Sequence, residues 1–586
     1  MNTKIKNTLD NTRHSLAHLL AMVVTEKYPE TKLAIGPTIE NGFYYDFDLP
    51  EGVSISLDAL PKLTKQIKKL ASGKIDFVRE EISEDEAKKL FANQPYKLEL
   101  IDEIIKKGGK LSIYKSCDFV DLCEGPHIEN TSEINTDAFM LTSVSGAYWR
   151  GDEKNKQLTR VYGVAFETKE ELDTYLEQIE EAKKRDHRKI GKEMGLFTFS
   201  DLVGAGLPLF TPRGTLIRDL TTDKIWNLQK GFGWQKITTP HITKKELYKI
   251  SGHWEKFGDE LFKVKGKGDS EFVMKPMNCP HHTQIFASEA RSYKDLPLRF
   301  AENGVIYRDE QAGELLGLSR VRAITQDDGH AFCTPEQVEG EIKNIVSIIK
   351  SFYTDLGMYE KGKFWVSLSV SDPQSPEKYM IGEDGLFLEA EKILEKIAKD
   401  EDLPYEKIEG EAAFYGPKLD FQFKDALGRE WQLGTVQLDF SMPKRFDLEY
   451  TAQDGTKQTP IMIHRAIAGS LERFMAVMIE HFAGAFPLWL SPVQVKVLPI
   501  ADAHKEYAQE VTNTLKESGF RVELDDSNEG LGKKIRNAKI EKVPYFLVIG
   551  DAEVADKKIT VESRDNGKIG EKSIGEFVKG LKEEII

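Results

Sequence analysis

Cysteine is scarce: 586 residues carry four, Cys117, Cys123, Cys279 and Cys333. That is too few for a disulfide framework in a chain this long, which sets aside the disulfide-stapled secreted class. No apolar run approaches the ~18 residues needed to span a bilayer. FAGAFPLWL, at 482–490, has the length of a buried core segment. The opening MNTKIKNTLDNTRHS lacks the apolar stretch of a secretory signal. Positive charge is also in deficit. A net charge of −15 argues against a general nucleic-acid coat. It leaves room for a specific RNA partner on local basic patches such as KKRDHRKIGK (183–192) and KKIRNAKIEK (533–542), although such runs are more often solvated helix faces. Internal repeats and low-complexity segments are absent. With 40% hydrophobic and 30% charged residues, the composition is that of a globular protein. The length exceeds what one core can organise. The expected location is the cytoplasm, with no membrane partner.

What is present concentrates between Arg299 and Cys333. RFAENGVIYR and SRVRAITQDD are two β-type runs around a Gly-containing loop, with Arg308, Arg320 and Arg322 on or beside them. Planar guanidinium binds phosphate oxygens in a fork, so arginines facing one cleft suit a polyphosphate. A solvated hairpin with surface ion pairs is the plainer alternative. The arrangement resembles motif 2 of class II aminoacyl-tRNA synthetases, in which an Arg-x-Glu, here Arg308 and Glu310, meets ATP.

Along the chain, 11–28 predicts a helix and 34–48 two strands around an Asn-Gly turn. Ser83-x-x-Glu86 is a capping box. Strands near 111–121, 137–148 and 158–166 complete an α+β domain over 1–167. Thr168-x-x-Glu171 then caps a charged helix to about Gly191, within a linker over 168–195, long enough to separate two domains by ~35 Å. A domain over 196–490 opens with helix, Gly break, strand and Pro240 in 214–240. This order resembles motif 1 of class II synthetases, which forms a homodimer interface. Strands at 431–440 and 459–463 follow, the second running into the helix RAIAGSLERFMAVMIEHF. Beyond Ser491-Pro492, strands and helices alternate over 491–586, which favours a parallel or mixed sheet covered by helices.

Cys279, His330 and His464 lie far apart, and no local zinc-finger spacing joins them. Taken singly, each reads better as a buried thiol or a satisfied histidine. Their surroundings change that: KPMNCP, RVR-x-x-TQDD-x-H, YGPKLD, WQLGTVQLDF and HRAIAGSLERF stand in the order of the threonyl-tRNA synthetase family, which the chain resembles from residue 11 onward. The resemblance implies a multidomain α/β and α+β fold. Its parts are an N-terminal α+β editing domain, an antiparallel-sheet class II catalytic domain, and a C-terminal mixed α/β anticodon-binding domain. It implies a ligase that joins threonine to tRNA(Thr) through threonyl-adenylate, using ATP with Mg²⁺. Cys279, His330 and His464 would hold one zinc ion per subunit. Arg308, Arg473 and Lys418 would serve catalysis, and Glu310, Arg320, Gln432, Thr435 and Ser470 would join Arg308 and Arg473 on ATP. Gln326, Asp328, Tyr415 and Gln437 would surround threonine.

The chemistry gives zinc a purpose. An apolar pocket separates threonine from near-isosteric valine only about 10²-fold. Three protein ligands leave coordination positions open, which threonine can fill with amine and hydroxyl and valine cannot. Serine keeps both groups, and one missing methyl contact costs only about 1–3 kcal/mol. A second, hydrolytic site against seryl-tRNA is therefore expected. His14-x-x-x-His18 puts two imidazoles on one helix face, and Asp121-x-Cys123-x-x-x-His127 adds an acid, a thiol and a third imidazole. With Tyr45, these resemble the family's editing site. A metal site built from the same His and Cys residues is the rival reading.

Departures from the family pattern are also expected to matter. A further small N-terminal domain has no counterpart in the residues before His14. Ile324 stands where an aromatic residue usually stacks on adenine. Asn528, Glu553 and Arg564 match anticodon-reading positions, yet Glu562 reverses the charge of one expected basic contact. Residues 491–586 hold 16 Lys/Arg against 18 Asp/Glu, so RNA binding there must rest on local geometry. Two competing classes remain. A non-catalytic paralogue binding RNA should have lost one of the arginines or the zinc ligands, and all are present. A deacylase using only the N-terminal domain leaves the ATP motifs without purpose.

Overall fold

The computed structural model describes residues 2–267, 271–379 and 385–585, which form two compact units, Met1–Glu180 and Glu181–Ile586. In the first unit the helix Asn2–Lys27 carries Leu16, Leu19, Leu20, Val23 and Val24 at three- and four-residue steps, giving one apolar face. All five are buried in one cluster with Phe43, Tyr45, Phe47 and Val161 of an antiparallel sheet. That sheet runs Lys32–Leu33, Gly42–Asp48, Gln157–Ala165, Phe139–Tyr148. The expected Asn-Gly turn is shifted by one residue. Glu40 and Asn41 make the turn, and Gly42 opens the next strand opposite Val164. A Cβ at Gly42 would lie 2.0 Å from Gly163 O, so close strand approach selects the glycine. A second sheet, Val78–Glu81, Ser112–Ser116 and Phe119–Leu122, carries Asp121. The capping box forms: Ser83 N–H donates to Glu86 Oε2 at 2.9 Å ahead of the helix Glu84–Leu90.

The charged helix expected to reach Gly191 is broken. Lys169–Arg185 stops before Asp186, whose carboxylate accepts from Arg188 N–H at 2.8 Å and caps a new helix, His187–Glu193. Aspartate is among the strongest N-cap residues, so an internal Asp can close one helix and open the next.

Among the described residues the second unit is organised by an eight-stranded sheet. Its order is Gln235–Lys236, Leu298–Tyr307, Ala323–Cys333, Ile461–Ala466, Glu430–Asp439, Lys418–Lys424, Phe364–Val370, Tyr405–Glu409. The inner pairs are antiparallel and the two edge pairs parallel. The helices Val338–Thr354 and Leu471–His481 share a core with it: Ile342, Ile345, Ile349 and Phe474 are buried with Leu419, Phe421 and Val436. Each such side chain contributes about 1.5–3 kcal/mol when fully buried. Ahead of this sheet, Thr211 caps the helix Pro212–Gln229, Gly233 turns the chain at φ 81°, and the strand that follows is only Gln235–Lys236. The C-terminal sheet orders Val522–Leu524, Val495–Pro499, Tyr545–Ile549, Ile559–Ser563, Gly567–Lys572. Its first three strands are parallel, as the alternation predicts, and an antiparallel hairpin over the last two was not foreseen.

Candidate functional site

The large sheet assembles its site by register. His330 pairs with His464, His464 with Gln437, and Gln437 with Lys418, so four side chains from four strands form one cross-strand row. Directly opposed residues share a face, and residues two apart along a strand share it too. Ile324, Gln326, Asp328 and His330 therefore line the same face of Ala323–Cys333. Asp327 points the other way, accepting from the buried Arg465 at 2.7 Å and from Ile467 N–H at 2.8 Å. Along the row, Tyr415 donates to Gln437 Oε1 at 2.5 Å and stacks on His464, with ring centroids 4.8 Å apart. Thr435 donates to Asp420 at 2.7 Å, and Lys418 pairs with the other oxygen of Asp420 at 2.7 Å. Gln432 pairs with Gln422 farther along the same strand.

Cys279 begins the helix Cys279–Ala287, and its Sγ and one ring nitrogen each of His330 and His464 lie within 4.8 Å of one another, all three residues being buried. Hydrogen-bond polarity tests whether these groups suit a cation. Asp439 accepts from His464 Nε2 at 2.9 Å, leaving Nδ1 as a lone pair. Glu302, which burial pushes up but His282, the Thr239 N–H and Lys275 pull down to about 2, accepts from His282 Nε2 at 3.3 Å. With the imidazoles neutral, His282 Nδ1 then accepts from His330 Nδ1 at 2.8 Å, leaving His330 Nε2 bare. Two bare nitrogens thus face each other at 3.0 Å beside a buried thiol. Burial raises the Cys279 thiol and lowers His330, so this set resists charging by protons alone and fits a metal cation. Asp328, raised by burial, is held by Asn278 Nδ2 at 3.0 Å. Gln326 Oε1 and Asn278 Oδ1 are buried without a partner among the described residues, a polar demand that a ligand could meet.

The arginines gather at the loop joining Leu298–Tyr307 to Ala323–Cys333. Arg308 rests over the Phe257 ring at 4.8 Å, with Nη2 3.3 Å from Met277 Sδ. Arg320 donates to Glu310 Oε2 at 2.8 Å, so Glu310 meets a neighbour's guanidinium here. Arg322 grips Glu310 O at 2.8 Å. Arg473 donates to Ser319 O at 3.1 Å, and Ser470 caps its helix. Desolvation lowers both the half-buried Arg308 and the more exposed Arg473, and like charge adds to it, Arg473 acting on Arg308 and Arg320 on Arg473. Clustered cations of this kind favour a polyanion.

In the first unit, a cavity of about 780 Å³ is lined by His14, His18, Lys97, Asp121 and Cys123 among others. Cys123 Sγ lies 3.3 Å from Nε2 of both His14 and His127. His14 Nδ1 donates to Pro126 O at 3.1 Å and His127 Nδ1 to Ser15 Oγ at 3.0 Å, so both Nε2 atoms present lone pairs. Burial lowers all three imidazoles and pushes the Cys123 thiol up to about 12. Tyr45 donates to Asp121 Oδ2 at 2.5 Å, and Lys97 reaches Asp121 Oδ1 at 2.5 Å and Tyr45 Oη at 3.2 Å.

Against known proteins, residues 262–482 match the tRNA synthetase class II core domain (G, H, P, S and T). Residues 494–584 match an anticodon binding domain, and 111–162 the threonyl and alanyl tRNA synthetase second additional domain. The threonine–tRNA ligase of Gloeobacter violaceus is 50% identical over 567 residues, covering 96% of this chain and 89% of the relative. That of Thermotoga neapolitana is 47% identical over 575 residues, covering 98% and 88%. The chain belongs to the threonine–tRNA ligase family. The RNA binding domain of threonyl-tRNA synthetase from Cryptosporidium parvum superposes with TM-score 0.64 at 36% identity, over 68% of this chain and 98% of that one. Prolyl-tRNA synthetase from Giardia lamblia shares the fold at 18% identity, with TM-score 0.54 over 70% of this chain and 82% of that one.

For a threonine–tRNA ligase, several neighbours escaped the sequence reading. Lys97, Asp439, His282 and Glu302 are buried polar residues whose side-chain partners lie 20 or more positions away, and spacing cannot reveal such pairs. Asn278 and Asp439 did stand inside quoted motifs, KPMNCP and WQLGTVQLDF. At the other end, Asn528 lies on an exposed loop, whereas Glu553 accepts from Gly550 N–H at 2.8 Å and Thr560 Oγ1 at 2.6 Å. Arg564 donates to Phe486 O at 3.0 Å and Lys542 O at 3.1 Å, so its guanidinium holds the C-terminal sheet to the preceding segment. Glu562, the charge-reversed position, pairs with Lys539 at 3.4 Å. No helix among the described residues is long and apolar enough to cross a membrane.

Proposed function

We propose that this protein activates threonine with ATP, transfers it to tRNA(Thr), and hydrolyses seryl-tRNA(Thr) in its first unit. The observation that carries the synthetic half is the cross-strand row His330–His464–Gln437–Lys418 with Cys279 at its end and three arginines nearby. Cys279, His330 and His464 would hold zinc, which when bound supplies a Lewis-acid anchor with positions open to the threonine amine and hydroxyl. Asp328 and Gln326 lie on the same strand face and can read the same two groups. Tyr415 and Gln437, already bonded to each other, wall the pocket beside His464. ATP, with Mg²⁺, would lie across Gln432, Thr435 and Ser470, its phosphates toward Arg308, Arg320 and Arg473. The threonine carboxylate attacks the α-phosphorus and pyrophosphate leaves. Arg308, Arg473 and Lys418 stabilise the charge that builds on the phosphate oxygens. Pyrophosphate exchange into ATP, run across the twenty amino acids, tests this: threonine should support exchange, and failure of every amino acid would overturn it.

In the first unit the nucleophile we propose is water. A thiol held protonated up to about 12 is a poor nucleophile at neutral pH, while His14 stays neutral and able to accept a proton. Lys97 stands beside Asp121 as a cation for the developing oxyanion. A metal-bound version is the second reading, favoured by four donor atoms of His14, His18, Cys123 and His127 within 4.8 Å of one another. Metal analysis of Cys279→Ala with and without His14→Ala separates them, because metal that persists in the first and is lost in the second belongs to this cluster. The domain limits 1–167, 168–195, 196–490 and 491–586, a homodimer through 214–240, anticodon contact through 491–586 and a cytoplasmic location complete the proposal.

A further inference from the structure

His187 sits at the restart of the broken helix, two residues after Arg185, and is buried. Both ring nitrogens are committed. Nδ1 donates to Glu480 Oε1 at 2.6 Å, and Glu480 also accepts from the His187 backbone N–H at 3.1 Å. That fixes the tautomer, so Nε2 accepts, and its donor is the backbone N–H of Leu318 at 3.0 Å. Leu318 lies in the tip of the arginine loop, where Leu316 N–H donates to Arg320 O at 3.1 Å and Ser319 N–H to Leu316 O at 2.8 Å. The neighbouring Gly317 has φ 49°, and a Cβ there would lie 2.2 Å from His187 Nε2. The glycine lets the loop backbone close onto the imidazole. One residue beyond Leu318, Ser319 O receives Arg473, and the next residue, Arg320, pairs with Glu310.

We infer that His187 is a positioning residue for ATP binding: its Nε2 anchors the loop that presents Arg320 and registers that loop against Arg473. Glu480, on the helix Leu471–His481 that carries Arg473, fixes the imidazole from the other side. The loop and the arginine-bearing helix are thereby tied through one ring. A plain packing role predicts that substitutions at His187 change stability and leave ATP binding alone. The inference rests on the reading of this loop as the ATP phosphate clamp.

Two substitutions in the full-length protein separate the bonds. His187→Asn places an amide where Nδ1 lies and can still meet Glu480, but has no atom at the Nε2 position. His187→Gln reaches the Nε2 position and can accept from Leu318 N–H, but abandons Glu480. In pyrophosphate exchange, His187→Asn should raise the KM for ATP about three- to tenfold, the worth of one lost hydrogen bond, with the KM for threonine unchanged. His187→Gln should keep an ATP KM close to the parent's, even where its melting temperature falls further. An unchanged ATP KM in His187→Asn, or ATP KM values that track melting temperature across both variants, would overturn the inference. Arg320→Ala distinguishes the failures. If it leaves the ATP KM untouched, the clamp reading itself is wrong. If it raises the ATP KM while His187→Asn does not, only the positioning role is wrong.

Discussion

Asp439 Oδ2 lies 2.9 Å from His464 Nε2, and both residues are buried. The carboxylate accepts the hydrogen bond from the imidazole N–H on the side away from Cys279 and His330, and its other oxygen is fixed by the Ser441 and Met442 N–H groups at 2.7 and 2.9 Å. A residue never in line for a ligand role thus decides which nitrogen His464 can offer.

From that bond, Asp439→Asn should weaken zinc binding about 10–100-fold, the usual cost of losing an outer partner of a ligating histidine. Competition against a chromophoric chelator measures it directly. The KM for threonine should rise and that for ATP should hold. Zinc affinity equal to the parent's would show that the tautomer is set elsewhere.

The ion pair Lys97–Asp121 has both side chains at 3% exposure or less. Removing one member of a buried pair leaves the other charge uncompensated, at a cost of about 3–5 kcal/mol. Lys97→Met should therefore lower the urea midpoint of the first unit and abolish seryl-tRNA hydrolysis together. Tyr45→Phe removes one hydrogen bond to the same carboxylate and should cost only about 1–2 kcal/mol. Unfolding curves in which Lys97→Met is the milder of the two would contradict this ordering.

The grouping of Cys279, His330 and His464 was legible because each sits in a long motif, and the sheet then aligned two of them by register. Ile324, Gln326, Asp328 and His330 were legible as one face because a strand repeats every two residues. The helix restart at Asp186 was missed because the run 169–191 is charged throughout, and a lone internal cap changes no periodicity. Lys97 was missed for a related reason: in YKLELIDEIIK it reads as a solvated helix lysine, and only the fold brings Asp121 beneath it. Arg564 matches an anticodon-reading position in the family pattern, and the sequence gives no sign that the backbone carbonyls of Phe486 and Lys542 accept from its guanidinium. Sequence reports residue chemistry well and reports badly where that chemistry is spent.

Glu480 gives a pH test. Burial pushes its carboxyl up, but hydrogen bonds from the His187 ring and N–H, then from Arg429, outweigh that and leave it below its ordinary value of 4.5. The unfolded chain therefore takes up this proton first as pH falls. The stabilisation is complete above 4.5 and is lost as pH drops through the lower folded value. Glu480→Gln should be less stable than the parent at pH 7, with a shallower loss below pH 4.5. Urea midpoints taken from pH 7 to pH 3 check it; parallel curves for the two proteins would assign the acid limb to other groups.

The first-unit histidines admit the most direct separation of activities. His14 Nε2 faces Cys123 at 3.3 Å, and His18 Nε2 lies 3.7 Å from Asp121, so the two rings touch opposite ends of the polar set lining the cavity. Replacing both with alanine removes the proton acceptor and opens the cavity without touching any residue of the large sheet. Threonine activation by pyrophosphate exchange should therefore stay within about twofold of the parent, while hydrolysis of seryl-tRNA(Thr) should fall by about 10²-fold or more, the usual worth of a general base. Supplied with serine, ATP and tRNA(Thr), the double variant should accumulate seryl-tRNA where the parent does not. A variant that clears seryl-tRNA at the parent's rate would remove these histidines from the chemistry. They would then be packing residues, His18 between Phe77 and Phe119 at ring distances of 6.3 and 6.1 Å.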